Sequence, residues 1–201
     1  MQLGVLISGR GSNLEAILTA IGDGRLSARV SIVVSNRAEA AGLERARRRD
    51  VPTAVLSHRD FPSRTAYDAA LVDLLRERSV DAVALAGFDR LLSSVFLDAF
   101  PGRVVNVHPA LLPAFPGLHA QLQALEYGAR ITGVTVHVVD EEMDHGPIIA
   151  QAAVPILEND TEQTLSARIL EEEHRLYPLA LERLARGQLQ VNGRRVTGGV
   201  P

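Results

Sequence analysis

Three residue types are missing from the sequence: it contains no cysteine, no tryptophan and, because all 21 basic residues are arginine, no lysine. The absence of cysteine excludes disulfide bonds, a thiolate nucleophile and zinc sites built on sulfur. The absence of lysine excludes a Schiff base, bound pyridoxal phosphate and the lysine of a P-loop. Any catalysis by this chain therefore depends on His, Asp, Glu, Asn, Ser, Arg and backbone groups.

Long apolar runs and clustered positive charge are also missing. No stretch approaches the ~20 apolar residues that cross a bilayer, and the N-terminal residues lack the basic region of a signal peptide. The 21 basic and 24 acidic residues give a net charge of −3 with no basic stripe, which disfavours a general nucleic-acid binder. We therefore expect a cytoplasmic protein without nucleic-acid or membrane partners. The sequence leaves monomer and homodimer open.

The first half of the chain alternates short apolar runs with patterns of helical period. Apolar residues make up 46% of the 201 residues, which suits a single α/β domain with a substantial core. The alternation predicts a doubly wound, mostly parallel, Rossmann-like sheet with right-handed crossovers. The predicted strands are 3–8, 30–35, 53–56 and 82–86, and the predicted helices end near 20 and span 41–49 and 64–78.

The second half of the chain has a different rhythm. A strand is followed by a run with three prolines, which excludes a regular helix or a central strand there. Two β-rich runs and then a long amphipathic pattern follow. This half is therefore predicted to be rich in strands and to end with a long helix. The predicted elements are a strand over 104–107, a helix over 118–127, strands over 131–139 and 148–155, and a helix over 161–185 capped by Asp160 or Thr161.

A glycine-rich segment, 8–13, directly follows the first predicted strand. Glycines let the backbone turn sharply, and the helix that follows presents free N–H groups, so the segment suits a phosphate. It lacks the third glycine of the dinucleotide fingerprint, and Asn36 and Arg37 stand where that fingerprint has an acidic residue. A mononucleotide-type phosphate therefore fits better than NAD. The same residues also make an ordinary strand-to-helix turn with Ser12 or Asn13 as N-cap.

Asn106 and His108 lie at the carboxyl end of a predicted strand, where open α/β sheets place their ligands. Strand alternation puts both side chains on one side, with Val107 opposed. An amide that donates a hydrogen bond beside an imidazole can polarise a carbonyl and transfer a proton. A lone loop histidine is more often structural or solvated, but the neighbouring amide and the three prolines favour a rigid functional site.

An acidic turn, 140–146, lies between the two β-rich runs. Alone it indicates a solvated loop, but Asp144 would favour the charged form of His108 if the two were in contact. His119 and His137 are further candidates to line such a site. A metal site made of these four residues is disfavoured, because the His-Glu-x-x-His spacing and the cysteine pairs of strong zinc motifs are missing. We predict no metal.

Four segments, in this order, resemble the phosphoribosylglycinamide formyltransferases, a family of folate-dependent formyltransferases. They are 9–14, 86–92, 106–113 and 144–149. The third segment is shared by folate-dependent formyltransferases generally, whereas the glycine-rich loop and the short chain indicate the phosphoribosylglycinamide family. The resemblance extends to about Arg186. It implies a formyl transfer from 10-formyltetrahydrofolate to the amine of 5′-phosphoribosylglycinamide, in de novo purine biosynthesis.

The resemblance also implies a role for particular residues. Asn106 would donate to the developing oxyanion, and His108, paired with Asp144, would be the general acid and base. The substrate phosphate and ribose would contact Gly11, Ser12, Asn13 and Glu173; the folate would contact Arg64, Asp89, Arg90, Leu91, Leu92, Val139, Asp140, Glu141 and Asp144; and His119, Thr135 and His137 would support the site. Either His108 or an ordered water would carry the protons.

The resemblance divides the domain into a phosphate-binding half, 1–100, a folate and catalytic half, 101–186, and a loosely held tail, 187–201. The sequence departs from the family pattern at Arg10, Asp89 and His145, which leaves the phosphate and pterin contacts open. Formyltetrahydrofolate hydrolase and methionyl-tRNA formyltransferase remain alternatives, although each normally carries an additional domain. A non-catalytic nucleotide- or folate-binding module is disfavoured by the intact Asn, His and Asp.

Overall fold

The computed structural model describes residues 1–200, and its centre is one sheet of seven strands with a separate two-stranded hairpin. The order of strands across the sheet is β3-β2-β1-β4-β5-β6-β7. The strands are β1 (Gln2–Ile7), β2 (Arg29–Ser35), β3 (Thr53–Val55), β4 (Ala82–Leu85), β5 (Val104–His108), β6 (Ile131–Val138), β7 (Ile148–Pro155) and, in the hairpin, β8 (Gln190–Asn192) and β9 (Arg195–Thr197).

Six helices connect and cover these strands. They are α1 (Ser12–Gly22), α2 (Ala41–Arg47), α3 (Arg64–Glu77), α4 (Ser94–Ala99), α5 (Ala120–Tyr127) and α6 (Glu162–Ala185). Helices α1, α2 and α6 pack on one face of the sheet, and α3 and α4 pack on the other. Because both faces are covered, the central strands are apolar almost throughout, as in β1 and β4, whose residues after Gln2 are all buried.

The first five strands are parallel, β6 runs antiparallel to them, and β7, which is antiparallel to β6, runs in the same direction as the first five. The predicted α/β class, the mostly parallel sheet and the long final helix are therefore confirmed, and the strand predictions are correct to within two residues at each end. Strand β5 lies between a parallel neighbour, β4, and an antiparallel one, β6. The carboxyl end of β5 therefore lies between the carboxyl end of β4 and the amino end of β6.

Helix α6 is fixed across the middle of the sheet by Tyr177. The hydroxyl of this fully buried residue lies 3.0 Å from the carbonyl oxygen of Leu85 and 2.8 Å from that of Val105. These two carbonyls belong to β4 and β5. The helix therefore holds a constant position relative to the strand that carries Asn106 and His108, and it brings Glu173, one turn earlier, to the same edge of the sheet.

Two parts of the chain differ from the sequence prediction. Helix α4 was not predicted, because its six residues are too few for a helical period to be recognised. Residues 187–200 were expected to be loosely held, but they contain the β8–β9 hairpin, which contacts β7. Within residues 1–200 no helix is both long and apolar enough to cross a membrane.

Candidate active site

Two polar side chains project from the same side of β5 at its carboxyl end. Asn106 is partly buried and His108 is 4% exposed, while Val107 between them points the other way into the core. The antiparallel register sets Asn106 opposite His137 and His108 opposite Thr135 on β6. The sheet alone therefore assembles four polar residues on one surface, as the alternation in both strands requires.

His108 is held between two oxygen atoms. Its Nε2 lies 2.8 Å from the carbonyl oxygen of Phe115, and its Nδ1 lies 3.3 Å from Oδ2 of Asp144. A carbonyl and a carboxylate can only accept hydrogen bonds, so each ring nitrogen has an acceptor for a proton. The surroundings of His108 therefore accommodate the imidazolium form, with one proton facing each oxygen.

Asp144 is oriented by the backbone around it. Its own φ is 51°, in the left-handed region, and its Oδ2 accepts a hydrogen bond of 2.8 Å from the N–H of Gly117. Two residues later, a Cβ at Gly146 would overlap the carbonyl oxygen of Val138, so only glycine lets the loop return this close to β6. The proline-rich segment and the acidic turn therefore converge on one carboxylate.

His137 fixes the direction of the Asn106 amide. Its Nδ1 lies 3.0 Å from the carbonyl oxygen of Val138, so this nitrogen carries the proton. Burial lowers the pKa of His137 below its ordinary value, more than the Val138 carbonyl and Asp144 raise it, and the ring stays neutral at pH 7. Its Nε2 therefore accepts from Asn106 Nδ2 at 3.2 Å. The same Nδ2 lies 3.5 Å from Oδ1 of Asp144.

Thr135 and His119, also predicted from the sequence to support the site, make no hydrogen bond or ion pair with Asn106, His108 or Asp144 within residues 1–200. Thr135 is fully buried, and its hydroxyl donates to the carbonyl of Ala110 at 2.7 Å and accepts from the N–H of Leu112 at 3.0 Å. It therefore holds the proline-rich segment to β6 and does not face the Asn106 amide. His119 does not join the cluster either, because its side chain is 72% exposed and lies 3.7 Å from Glu162.

Sequence reasoning missed two backbone groups of the site, the carbonyl of Phe115 and the N–H of Gly117. Backbone contacts leave no side-chain signature, and the only sign of them is the run of prolines ending in Gly117. Gln151 was also missed; its amide donates to the carbonyl of Leu112 at 2.9 Å and to Thr135 at 3.0 Å. No group of three or more ligating side chains suited to a metal ion occurs among residues 1–200.

The glycine-rich segment forms the second part of the site. Gly11 adopts φ 72° and precedes α1 as its N-cap, and a Cβ there would meet Gly42 Cα at 2.6 Å. No side chain caps the helix, so its first N–H groups stay available to a ligand. Asn13 is buried at this end of α1 and is turned towards α6.

The carboxylate of Glu173 accepts a hydrogen bond from the side-chain amide of Asn13. Asn13 Nδ2 donates to Glu173 Oε2 at 2.7 Å, while Asn13 Oδ1 is buried without a hydrogen-bond partner in residues 1–200. Burial raises the pKa of Glu173 to about 6, although Asn13 and the charge of Arg10 act in the opposite direction. The phosphate-binding and ribose-binding residues predicted from the sequence thus lie together at the junction of α1 and α6.

The residues predicted to bind folate lie in the loops that follow β4 and β6 and at the start of α3. Arg64 is exposed at the start of α3, and Leu92 is buried while Leu91 is 46% exposed. The carboxylate of Asp89 is occupied by protein groups: Ser8 Oγ at 2.8 Å, Asn36 Nδ2 at 2.9 Å and an ion pair with Arg37. Burial opposes ionisation of Asp89, but these donors keep its pKa below its ordinary value.

The acidic turn at the end of β6 is braced by the hairpin. Val139 is bonded through its N–H to the carbonyl of Val104 at 2.8 Å, and Glu141 is exposed. Asp140 Oδ2 lies 2.8 Å from Nδ1 of His145, and the carbonyl of His145 accepts from Arg194 Nη2 at 2.6 Å. The segment expected to be loose therefore touches the loop that carries Asp144.

Comparison with known proteins gives a consistent result. The family model described as formyl transferase matches residues 1–181. The chain is 45% identical over 192 residues to phosphoribosylglycinamide formyltransferase of Escherichia coli (strain K12), covering 96% of this chain and 91% of that protein. A solved structure of glycinamide ribonucleotide transformylase 1 from Symbiobacterium toebii superposes with a TM-score of 0.96 at 55% identity, covering 98% of this chain and 92% of that chain.

Other relatives are much longer proteins. The chain is 51% identical over 191 residues to the trifunctional purine biosynthetic protein adenosine-3 of Drosophila pseudoobscura pseudoobscura, and it spans 14% of the length of that protein. The resemblance found in four segments of the sequence is thus confirmed over almost the whole chain. This chain belongs to the formyl transferase family, in its phosphoribosylglycinamide formyltransferase group.

Proposed function

We propose that this protein transfers a formyl group from 10-formyltetrahydrofolate to the amine of 5′-phosphoribosylglycinamide, releasing formylglycinamide ribonucleotide and tetrahydrofolate in de novo purine biosynthesis. The observation that carries the proposal is the cluster at the end of β5, where Asn106, His108 and Asp144 lie within hydrogen-bonding range of one another or of shared partners. The names of the E. coli and S. toebii relatives support the choice of substrate.

Asn106 supplies the hydrogen-bond donor for the formyl oxygen. One hydrogen of its Nδ2 is bonded to neutral His137. The second faces Asp144 Oδ1 only at the 3.5 Å limit of a hydrogen bond and remains available to substrate. The amine attacks the formyl carbon, and negative charge then develops on the formyl oxygen. A fixed N–H aimed at that charge stabilises the transition state without reorganisation, a contribution of about 3–4 kcal/mol.

His108 holds and transfers the proton. The reaction removes a proton from the attacking amine and returns one to N10 as the carbon–nitrogen bond breaks. We assign this proton to His108 Nδ1. The contact of Nδ1 with Asp144, at 3.3 Å, is longer than the 2.8 Å contact of Nε2 with the Phe115 carbonyl, so Nδ1 more easily exchanges its partner for the substrate. Asp144 stabilises the imidazolium, and Gly117 keeps the carboxylate in position. An ordered water held by these groups would serve the same transfer.

The two substrates approach from opposite faces of the sheet edge. The N–H groups that start α1, at Ser12 and Asn13 after Gly11, suit the phosphate, and the buried carboxylate of Glu173 suits the ribose hydroxyls. The folate fits the other face, where Arg90 Nε is buried without a partner in the described chain and Leu91 is exposed. Arg64 and the acidic turn would contact the folate there. The folate supplies the formyl group on N10.

Several broader statements belong to the same proposal. The chain forms one formyltransferase domain, its partners are small molecules rather than nucleic acid or membrane, and it works in the cytoplasm as a monomer or homodimer. The net charge of −3 and the absence of a basic stripe in the sequence support small molecules, rather than nucleic acid, as the partners.

The deciding experiment mixes the protein with 10-formyltetrahydrofolate in the presence and absence of phosphoribosylglycinamide and follows tetrahydrofolate formation by absorbance and the formylated product by mass spectrometry. The proposal predicts tetrahydrofolate only when the amine is present, with one formylated ribonucleotide per folate. Deformylation that does not depend on the amine would instead establish a hydrolase.

A further inference from the structure

Asp68 is a buried carboxylate that has no part in the proposed transfer. It lies near the start of α3 and is 1% exposed. None of the ion pairs among residues 1–200 includes it. A buried carboxylate without a cationic partner is costly unless hydrogen bonds compensate it, so the groups that bond to Asp68 indicate its role.

Both hydrogen bonds of Asp68 come from Ser93. Oδ2 of Asp68 accepts from the backbone N–H of Ser93 at 2.6 Å and from its hydroxyl at 2.6 Å. Ser93 is the N-cap of α4, a position where a serine hydroxyl usually accepts from an N–H of the first helical turn. Here the hydroxyl makes no such bond and donates to Asp68 instead. The serine therefore ties the start of α4 to α3.

Segment 90–92, which the proposed function assigns to the folate, directly precedes this serine. Among residues 1–200, no N–H or carbonyl of the segment bonds to another backbone group. The chain before it is held by Ser8, whose N–H donates to the Gly87 carbonyl at 2.9 Å and whose hydroxyl accepts from the N–H of Asp89 at 3.0 Å. The segment thus spans two anchors, Ser8 and Asp68, and its own backbone groups stay available to a ligand.

Arg90, the first residue of this segment, is subject to the charge of Asp68 as well. Asp68 Oδ1 and Arg90 Nε are both buried without a hydrogen-bond partner in the described chain. Burial raises the pKa of Tyr67 to about 12; the negative charge of Asp68 adds to this rise, and the positive charge of Arg90 opposes it. Both charges therefore lie near one buried hydroxyl, and the attraction between them favours the observed position of the segment.

A segment without backbone hydrogen bonds is held only by its ends and its side chains. Leu92 is buried, whereas Leu91 is 46% exposed and contributes less packing. Without the contact of Asp68 with Ser93, the segment would adopt several conformations. A ligand that needs one of them then binds more weakly, because ordering the chain opposes binding. The buried carboxylate therefore orders the segment before a ligand arrives.

We infer that Asp68 is a positioning residue for the folate, which holds segment 90–92 in its ligand-binding conformation through Ser93. The inference rests on the proposed function, because it requires the folate to contact this segment. Helices α3 and α4 pack on the face of the sheet opposite α1 and α6, where the phosphate and ribose are proposed to bind. Loss of the contact should therefore weaken folate binding and leave phosphoribosylglycinamide binding intact.

The test measures calorimetric Kd and steady-state KM for each substrate, with tetrahydrofolate as the folate in calorimetry, well below the unfolding midpoint of each variant. Asp68→Asn removes the charge, and Ser93→Ala removes the hydroxyl but keeps the N–H. Each should raise Kd and KM for the folate about tenfold, the effect of one charge-assisted hydrogen bond, and change Kd for phosphoribosylglycinamide less than about twofold. The double variant should bind folate no more weakly than Asp68→Asn, because both changes act through one contact.

Three further variants serve as controls. Ser93→Thr keeps the hydroxyl and should bind the folate as wild type does. Asp73→Asn on α3 and Ser94→Ala on α4 repeat the two chemical changes at exposed positions of the same helices and should alter neither Kd. Thermal unfolding of every variant is measured beside binding, which separates an effect on the folate from an effect on stability.

An unchanged Kd for tetrahydrofolate in either Asp68→Asn or Ser93→Ala would overturn the positioning role. So would an equal loss of affinity for both substrates, or a lower unfolding midpoint with unchanged Kd, because a purely structural residue gives these results. If Asp68→Asn does not fold, Ser93→Ala decides alone. Wild-type protein that binds tetrahydrofolate in a Ser93-dependent manner but does not formylate phosphoribosylglycinamide would contradict the proposed function and support the positioning role.

Discussion

The N–H of Gly117 donates a 2.8 Å hydrogen bond to the same oxygen of Asp144 that lies 3.3 Å from His108. One carboxylate oxygen thus receives a donor from the proline-rich segment and faces the histidine of β5. The proline-rich segment is therefore part of the proposed catalytic geometry, because it supplies the N–H that holds the Asp144 carboxylate as well as the carbonyl that faces Nε2 of His108.

Replacing Asp144 by Asn tests this relationship. The amide keeps the shape but removes the charge that stabilises the imidazolium, so we expect kcat at pH 7.5 to fall about 100- to 1,000-fold with little change in Kd for phosphoribosylglycinamide. Single-turnover kinetics and calorimetry provide the two measurements. Glu158→Gln, which likewise replaces a carboxylate by an amide but at an exposed turn, should behave as wild type. A near-normal kcat for the Asp144 variant would show that the ion pair is not needed.

Replacing Asn106 by Asp tests the donor for the formyl oxygen. The substitution removes both N–H groups and puts a carboxylate 3.2–3.5 Å from His137 Nε2 and Asp144 Oδ1. We expect kcat to fall at least 100-fold, and the pKa of His137 to rise because a negative charge replaces its hydrogen-bond donor. Stopped-flow transfer and an NMR titration of the imidazole follow the two effects. Asn159→Asp at an exposed turn is the control, and unaltered values at Asn106→Asp would remove the amide from the mechanism.

Glu173 gives a prediction about pH and stability. Burial raises its pKa to about 6 from 4.5, so the folded state binds this proton more tightly than the unfolded chain does. Its contribution to the unfolding free energy is therefore complete below pH 4.5 and is lost as the pH rises through 6. At pH 7.5 the loss is about 2 kcal/mol for a shift of this size.

The variant Glu173→Gln should accordingly be about 1–2 kcal/mol more stable than wild type at pH 7.5 and equal to it at pH 4.5, as urea unfolding will show. Its KM for phosphoribosylglycinamide should rise, because the ribose loses an ionised acceptor. Glu171→Gln, an exposed neighbour on α6, is expected to change neither quantity. A stability gain that is the same at both pH values would mean that burial of charge is not its source.

Arg194 gives a prediction about the hairpin. Its guanidinium donates to the carbonyl and to Nε2 of His145, one residue after Asp144. Because these groups are largely exposed, we expect Arg194→Ala to raise KM for the folate only about two- to fivefold, through looser positioning of the acidic turn. Arg195→Ala, which lacks these contacts, is the matched control. Equal KM values for the two variants would show that the hairpin has no influence on the turn.

The sequence was sufficient for the parts of the site that follow from local pattern. Alternation along β5 places Asn106 and His108 on one side, and the glycines before α1 predict its free N-terminus. The contact of His108 with Asp144 could only be expected from family resemblance, because the two residues are brought together by an antiparallel return of the chain. Thr135 and His119 show the limit most clearly: both were predicted to support the site, but the sequence could not indicate that Thr135 contacts the proline-rich segment or that His119 lies near Glu162.

The two halves of the site differ in how much chain separates their members. Asn106 and Asp144 are 38 residues apart and belong to one meander, β5 to β7, whereas Asn13 and Glu173 are 160 residues apart. Closing the longer loop costs more chain entropy, and during synthesis Glu173 emerges last. We therefore expect the cluster of Asn106, His108 and Asp144 to be in place before the junction of α1 and α6 forms. The docking of α6 against α1 would then be the late event that completes the proposed site.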